Sequence, residues 1–227
     1  MPKLSRRLET IATLVPFGAR VCDIGTDHGY LAIELMKTQR ADSVIATDIG
    51  KKPLLNAKKN IEKFGITDIS LRLCDGLSGI EKGEADTVII AGMGGEVIAG
   101  ILDKGCNIAK DRNITLILQP TTSPDFLRKF LCENGYKIIT EIPVFENQKC
   151  YSVMKVSYTA NPFTPSSGYC FAGEVKPDSE DGNIYLKKQQ KRCFECVTAL
   201  EKCEKQTEEY FSLKSALEYI NQLLTEN

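Results

Sequence analysis

Two aspartates and two glycines lie within seven residues near the start of the chain, in the run Asp23-Ile24-Gly25-Thr26-Asp27-His28-Gly29. A short apolar run of strand type ends at Asp23, and an apolar pattern with helical spacing begins after Gly29. In open α/β sheets, ligands bind beyond the carboxyl ends of the strands. Glycines in the turn allow the backbone to pass close to such a ligand. The pattern therefore predicts a ligand site at this turn.

The spacing of these residues indicates the charge of the ligand. A dinucleotide fingerprint is Gly-x-Gly-x-x-Gly, and it places a pyrophosphate on the helix N-terminus. This chain instead has Asp-x-Gly-x-x-x-Gly. Asp23 and Asp27 would repel a pyrophosphate, but they suit a ligand that carries a sulfonium and an ammonium group. S-adenosylmethionine is such a ligand, and we predict it as the cofactor.

Two later acids follow further runs of strand type. Asp48 closes the second run, 25 residues after Asp23, near the spacing at which an acid holds a ribose diol in Rossmann-type sites. Asp75 follows the third run, where Asp75-Gly76-Leu77 could contact an adenine edge. A single acid at a strand end could equally be a helix N-cap. Three acids after three successive strands favour one common site.

The most specific motifs of the chain are Ile90-Ala91-Gly92-Met93-Gly94-Gly95 and Leu116-Ile117-Leu118-Gln119-Pro120. Together with Leu4–Glu9, Asp23–His28 and Leu127-Arg128, they resemble the bacterial tRNA (adenine-N1)-methyltransferases of the TrmK type. That family methylates the adenosine at tRNA position 22. The resemblance covers roughly residues 3–158 and, more loosely, the helical tail. The chain departs from the family pattern after the Gln-Pro pair, where Thr121 replaces an asparagine.

The resemblance implies methyl transfer to N1 of an adenosine, which defines the chemistry that the site residues must support. N1 carries an in-plane lone pair and becomes part of a cationic ring after attack, so no general base is required. A carboxylate would stabilise that developing charge. Asp27 is the candidate, with His28 either orienting it or contacting the base. Gln119 could bind the Watson–Crick edge of the base, or it could equally satisfy backbone groups at a strand end.

These arguments give three sets of predicted site residues. The predicted catalytic residues are Asp27, His28 and Gln119. The predicted cofactor-binding residues are Asp23, Gly25, Thr26, Asp27, Gly29, Asp48, Ile49, Asp75, Gly76, Leu77, Gly92 and Met93. The predicted substrate-binding residues are Arg6, Arg7, Gly94, Gly95, Gln119 and Pro120.

Two other hypotheses about function stay open at this point. The chain could be a methyltransferase of the same fold that acts on another RNA, on a protein or on a small molecule. It could also be a non-catalytic adaptor that binds the cofactor and an RNA or protein. The fold by itself does not choose the substrate.

Apolar periodicity predicts the elements that position these residues. A short helix precedes Pro16, and strands then alternate with helices to about residue 133, which is typical of a doubly wound parallel sheet. Two further strand-type runs, 136–142 and 149–156, are separated by a short connection that contains Pro143. The predicted fold is therefore α/β, a Rossmann-like S-adenosylmethionine methyltransferase sheet that is mostly parallel and ends in an antiparallel hairpin.

The last third of the chain has a different pattern. Residues 160–182 contain three prolines among Ser and Gly, which predicts a linker. Beyond it, two apolar stripes predict a helical hairpin of coiled-coil type. The predicted domains are thus 1–159 and 183–227. A basic cluster (Lys187, Lys188, Lys191 and Arg192) could contact tRNA, or the hairpin could serve a dimer or another partner.

Composition limits the remaining classes. The formal net charge of −1 argues against strong non-specific binding of nucleic acid, although a local patch could still bind tRNA. No apolar run approaches the length of a membrane span. Nine cysteines scattered along the chain do not indicate a disulfide framework, which favours the cytoplasm. Cys193-x-x-Cys196 lacks a second ligand pair for zinc, and His28 is the single histidine, so we predict no metal.

Overall fold

The computed structural model describes residues 4–203 and 207–225. The helices are α1 (Arg6–Leu14), α2 (Tyr30–Lys37), α3 (Lys51–Phe64), α4 (Gly95–Lys104), α5 (Cys106–Ala109), α6 (Pro124–Glu133), α7 (Ser167–Ala172), α8 (Glu180–Lys202) and α9 (Glu208–Thr225). The strands are β1 (Ala19–Ile24), β2 (Ala41–Asp48), β3 (Ile69–Leu73), β4 (Thr87–Gly94), β5 (Thr115–Thr122), β6 (Tyr136–Glu146) and β7 (Lys149–Tyr158).

The strands form one seven-stranded sheet with the order β3-β2-β1-β4-β5-β7-β6. Strands β1 to β5 run parallel, and β7 is antiparallel to both β5 and β6. This arrangement confirms the predicted Rossmann-like sheet with its closing hairpin. The strand order reverses at β1, because β2 and β4 lie on opposite sides of it. Such a switch point opens a crevice at the carboxyl ends of the strands.

Both faces of the central strands are buried, which explains their continuous apolar runs. Along β4, Val88 and Ile90 belong to the core on one face of the sheet, and Ile89 belongs to the core on the other. Successive side chains of a strand point to opposite faces. Helices α4 and α6 cover the first face, while α1 and α2 cover the second.

The closing hairpin turns later than the sequence indicates. Strand β6 continues through Pro143 to Glu146, and the turn lies at Asn147 and Gln148, whose φ angles are 48° and 61°. Two successive positive φ values are the geometry of a tight two-residue hairpin turn. Pro143 fits inside the strand because β6 is at the edge of the sheet, where a residue without an N–H loses no bond. The predicted connection at Pro143 is therefore wrong.

Helices α8 and α9 pack on each other around a third apolar core, as predicted for the helical hairpin. The stretch 160–182, interpreted from its prolines as a linker, contains α7 and the first residues of α8. Ala172 and Val175 in this stretch are almost fully buried. The separation into units 1–159 and 183–227 stays a prediction, and residues 1–3, 204–206, 226 and 227 lie outside the described part.

The described part of the chain contains neither a candidate membrane-spanning helix nor a candidate metal-binding cluster. None of the helices described in residues 4–203 and 207–225 is long and apolar enough to cross a membrane. The same residues contain no group of three or more His, Cys, Asp or Glu side chains placed to hold a metal ion. Within the motif Cys193-x-x-Cys196, Cys193 is buried in the α8–α9 core, whereas Cys196 is exposed.

Candidate active site

The turn between β1 and α2 is held in an unusual backbone conformation. Gly25 and Gly29 have φ angles of 78° and 69°, and Asp27 has a φ of 47°. The backbone N–H groups of Gly25 and Thr26 both donate to the carbonyl of Thr47, at 2.8 and 2.9 Å. The end of β2 therefore fixes the turn. A non-glycine residue at positive φ is uncommon and is often found at functional sites.

Two cavities adjoin at Gly25. The first cavity, of about 320 Å³, is lined by Arg7 and by the turn residues Asp23, Thr26, Asp27 and His28, among others. The second cavity, of about 370 Å³, lies beyond the ends of β2 and β3. Gly25 lines both, and a side chain on it would meet the methyl group of Met93. The lack of a side chain at position 25 therefore keeps the passage between the cavities clear.

Asp23 is a buried carboxylate at the wall of the first cavity, with 4% of its surface exposed. Burial raises its pKa to about 6, the nearby hydroxyl of Thr26 opposes the rise, and the negative charge of Asp48 adds to it. Arg7 lines the same cavity, but its guanidinium donates to Gln119. A ligand that brings a positive charge to Asp23 would favour its ionised form.

The second cavity combines acids with apolar walls. Asp48 accepts a hydrogen bond from the backbone N–H of Gly50 at 2.7 Å, which orients its carboxylate at the end of β2. Asp75 lies across the cavity, 3.8 Å from the ammonium of Lys104. The hydroxyl of Thr47 is buried there and has no hydrogen-bond partner among residues 4–203 and 207–225. Exposed Ile49 provides an apolar surface beside these groups.

These features fit a nucleoside-bearing cationic ligand. The unpartnered hydroxyl of Thr47 and the carboxylate of Asp48 can bond the hydroxyl groups of a ribose, and an apolar wall can cover a planar ring. The buried Asp23 lies on the other side of Gly25, where a positive group of the same ligand would be held. The acidic and apolar groups around the two adjoining cavities thus match the polarity of S-adenosylmethionine.

Asp27 and His28 lie together at the mouth of the first cavity. Their side chains are about half exposed, and the Nε2 atom of His28 is 3.5 Å from an oxygen of Asp27. The ring of His28 stacks on Tyr30, with 5.4 Å between centroids and 16° between planes. The structure thus places the carboxylate and the imidazole side by side, with an open side toward solvent.

Gln119 has a different environment from these two residues. Its side chain is fully buried, its carbonyl oxygen accepts from Arg7 and from the backbone N–H of Gly92, and its amide donates to the carbonyl of Pro120 at 2.7 Å. Gln119 is not among the described residues that line the first cavity. This geometry corresponds to the alternative in which Gln119 satisfies groups at a strand end. Contact with the base stays a prediction.

Three other predicted substrate-binding residues are engaged in packing or pairing. Arg6 donates to the carbonyl of Phe145 at 2.8 Å and to Asp181 at 2.9 Å, so it ties α1 to β6 and α8. Gly95 is buried at the start of α4, where a side chain would overlap the carbonyl oxygen of Ser123. A side chain on Gly94 would press on the Thr122 hydroxyl.

Two predicted cofactor-binding residues lie away from the two cavities described above. Gly29 begins α2, and a side chain on it would press against Ala57 of α3, which explains the glycine by packing. Leu77 is buried and lines a third cavity, of about 270 Å³, which shares Asp75 and Gly76 with the second. The remaining predicted cofactor residues line the first or the second cavity: Asp23, Gly25, Thr26, Asp27, Asp48, Ile49, Asp75, Gly76, Gly92 and Met93.

Sequence analysis missed Tyr151, which comes from β7. The guanidinium of Arg7 lies over its ring, 5.5 Å from the centroid. Tyr151 is far from the strand-end motifs along the chain, and no local pattern marks it. Only the antiparallel return of β7 beside β5 brings it to the site.

Three comparisons bear on the family. Residues 4–154 match a family described as a methyltransferase domain. A tRNA (adenine(22)-N(1))-methyltransferase of Bacillus subtilis is 44% identical over 155 residues, which cover 67% of this chain and 64% of that protein. The crystal structure of the B. subtilis m1A22 tRNA methyltransferase TrmK has a TM-score of 0.85 at 30% identity, covering 99% of this chain and 100% of that one. M. capricolum TrmK, in complex with S-adenosylhomocysteine, has a TM-score of 0.75 at 26% identity, over 97% of each chain.

The sheet order, the closing hairpin and the acidic cavities on both sides of Gly25 define a Rossmann-type methyltransferase. The family match covers most of that sheet, and the structural similarity to TrmK extends over the helical tail as well. The chain belongs to the TrmK-type family of tRNA (adenine-N1)-methyltransferases.

Proposed function

We propose that this protein transfers a methyl group from S-adenosylmethionine to N1 of adenosine 22 in tRNA. The observation that carries the proposal is the pair of cavities joined at Gly25, with buried Asp23 on one side and Asp48 on the other. The B. subtilis relative is named for this reaction. The proposed substrate, tRNA, is also the proposed partner of the protein.

The cofactor-binding residues have separate proposed roles. Asp23 and Thr26 hold the ammonium group in the first cavity, and the ionised form of Asp23 is stabilised by that charge. Asp48 and the hydroxyl of Thr47 hold the ribose hydroxyls in the second cavity. Ile49 covers one face of the adenine, beside Asp75 and Gly76. When bound, S-adenosylmethionine supplies a methyl group that is already activated on a sulfonium.

The acceptor base needs positioning more than proton transfer. N1 of adenine is a neutral nucleophile, so the residues of the site must hold it in line with the methyl group and exclude water. N1 belongs to the Watson–Crick edge, and the base must therefore be unpaired or flipped out of a helix. The mouth of the first cavity, beside Asp27 and His28 and outside the ammonium position at Asp23, is the space we assign to the base.

Asp27 is the proposed electrostatic group of the reaction. Methylation makes the adenine ring cationic, and a carboxylate nearby stabilises that charge as it develops. His28 is 3.5 Å from the Asp27 carboxylate and restricts its orientation. Gln119 has an indirect proposed role, because its side chain holds the guanidinium of Arg7 at the wall of the same cavity.

We infer a cytoplasmic location for this reaction. The nine cysteines are free thiols in the structure, and free thiols suit a reducing compartment. A tRNA substrate is consistent with that compartment.

Nucleoside analysis tests the proposed function directly. The purified protein is incubated with an unmodified tRNA transcript and S-adenosylmethionine, and the RNA is digested to nucleosides for chromatography and mass spectrometry. We expect N1-methyladenosine from the tRNA and none from a transcript in which adenosine 22 is replaced by guanosine. Formation of N6-methyladenosine, or methylation of both transcripts alike, would contradict the proposal.

A further inference from the structure

A groove lies between the end of β5 and the first half of α8. It has a volume of about 500 Å³, within the range of small-ligand sites. Its floor is formed by residues 120–124 at the end of β5 and by Tyr151 and Ser152 of β7. Its outer wall is one side of α8, from Tyr185 to Glu195. We call it the α8 groove.

The outer wall of the α8 groove carries three cations, and they differ in their partners. Arg192 is paired with Asp125 at 3.0 Å, and Lys191 with Glu195 at 3.8 Å. Lys188 has no carboxylate partner within ion-pair distance among residues 4–203 and 207–225. An unpaired lysine at the rim of a groove is available to a phosphate group.

Gln189 gives the groove a second polar feature. Gln189 is 7% exposed, and its side-chain carbonyl oxygen is buried with no hydrogen-bond partner in the described part of the chain. A buried acceptor without a partner costs free energy, which a donor from a ligand would recover. The amino groups of nucleobases and the hydroxyl of ribose are such donors.

Tyr151 connects the α8 groove with the first cavity. Its ring lines the groove, and the guanidinium of Arg7, which lines the first cavity, lies on that ring. A strand of RNA with one base in the first cavity would therefore have the α8 groove beside it. The short wall of Arg7 and Tyr151 separates the two positions.

We propose that the α8 groove binds the nucleotide adjacent to the methylated adenosine, with its phosphate on Lys188 and its base or ribose on Gln189. The proposal rests on the proposed function, because it takes tRNA as the substrate. It assigns to α8 a direct role in placing the RNA, and it explains why a buried glutamine on that helix lacks a partner.

Binding of an unmodified tRNA transcript to two charge-matched variants tests the role of Lys188. Lys188→Gln should weaken tRNA binding severalfold and lower the slope of log Kd against log salt concentration by about one. Lys202→Gln is the matched control, since it removes the same charge from an exposed residue in the last turn of α8 that is neither among the groove-lining residues nor in the basic cluster. S-adenosylmethionine affinity should stay unchanged in both.

The variant Gln189→Leu tests the second contact. Because leucine removes an acceptor that has no partner, the melting temperature of the free protein should stay equal or rise. Affinity for tRNA should nevertheless fall roughly 2- to 10-fold, the range for one lost hydrogen bond. A purely structural role of Gln189 would instead lower the melting temperature and leave tRNA affinity unchanged.

The outcomes separate this proposal from the proposed function. Wild-type protein that neither binds nor methylates tRNA would refute the proposed function. Wild-type protein that methylates tRNA, together with equal effects of Lys202→Gln and Lys188→Gln, would overturn the proposed groove contact and indicate diffuse attraction to RNA. Unchanged tRNA affinity in Gln189→Leu would overturn the contact with the neighbouring nucleotide.

Discussion

Two regions of this molecule bury a carboxylate, and they differ in how many bonding partners surround it. On α6 and β6, Glu141 is paired with fully buried Arg128 at 2.6 Å and also accepts the backbone N–H of Glu174. The same Arg128 donates to the hydroxyl of Tyr185 and to the carbonyl of Cys170. In this Arg128 cluster (Arg128, Glu141, Cys170, Glu174 and Tyr185), both charged groups have hydrogen-bond partners.

The turn after β1 buries Asp23 with only partial compensation. Burial raises its pKa to about 6, the like charge of Asp48 adds to the rise, and the hydroxyl of Thr26 opposes it. Asp27 in the same turn is held at positive φ and is exposed. The comparison teaches that a buried charge with bonded partners joins elements of the fold. A buried carboxylate that lacks such partners and lies beside a cavity is suited to bind a ligand.

The largest effect on stability is expected at the Arg128 cluster. Glu141→Ala leaves the Arg128 charge buried without a carboxylate, so we expect the free energy of unfolding to fall by about 3–5 kcal/mol. Urea unfolding followed by circular dichroism measures the change. The double variant Arg128→Met, Glu141→Leu should recover most of the loss. A cost below about 1 kcal/mol for Glu141→Ala would show that the cluster does not hold the fold together.

In the turn between β1 and α2, the largest expected effect is on the rate of methyl transfer. Asp27→Asn keeps the size of the side chain and removes its charge. We expect kcat to fall by roughly 10²-fold or more at saturating S-adenosylmethionine, the scale for losing one preorganised electrostatic contact. Affinity for tRNA should change little. A variant that recovers the full rate at saturating cofactor would mean that Asp27 holds the cofactor instead.

A smaller effect on binding is expected at the second cavity. Asp48→Ala removes the proposed ribose contacts, and affinity for S-adenosylmethionine should weaken by about 1–3 kcal/mol. Isothermal titration calorimetry measures it. The control is Asp42→Ala, at the other end of β2, for which no change in affinity is expected. Equal affinities of wild type and Asp48→Ala would remove Asp48 from the cofactor site.

The smallest effect is a pH dependence at Asp23. Folding raises the pKa of Asp23 from 3.8 to about 6, so its contribution to the stability of the ligand-free protein is complete below about pH 3.8 and is lost as the pH rises through about 6. A cationic ligand favours the ionised form, so cofactor affinity should fall about fourfold from pH 7.0 to 5.5. Asp23→Asn should abolish this dependence. A dependence that survives in the variant would assign it to another group.

The Arg128 cluster also includes part of the stretch 160–182, whose three prolines indicate a linker. The carbonyl groups of Cys170 and Phe171 in this stretch accept hydrogen bonds from Arg128. Gly173 has a φ of 65°, and a side chain on it would overlap the Glu141 carboxylate. Local composition predicts where a chain turns, but it does not predict which distant side chain will donate hydrogen bonds to its carbonyl groups.

The sequence alone determined the parallel sheet, the glycine turn and the acids at the ends of β1, β2 and β3. Each of these depends on periodicity or on spacing within one strand and its turn, which are local properties. The tertiary structure decided which polar groups remain available. Gln119 and Arg6 have the residue types of a binding site, but their side chains are bonded to residues of other elements. Tyr151 and Gln189 come from distant parts of the chain and meet at the α8 groove. Pairing between distant residues is set by packing, and packing leaves no local trace in the sequence.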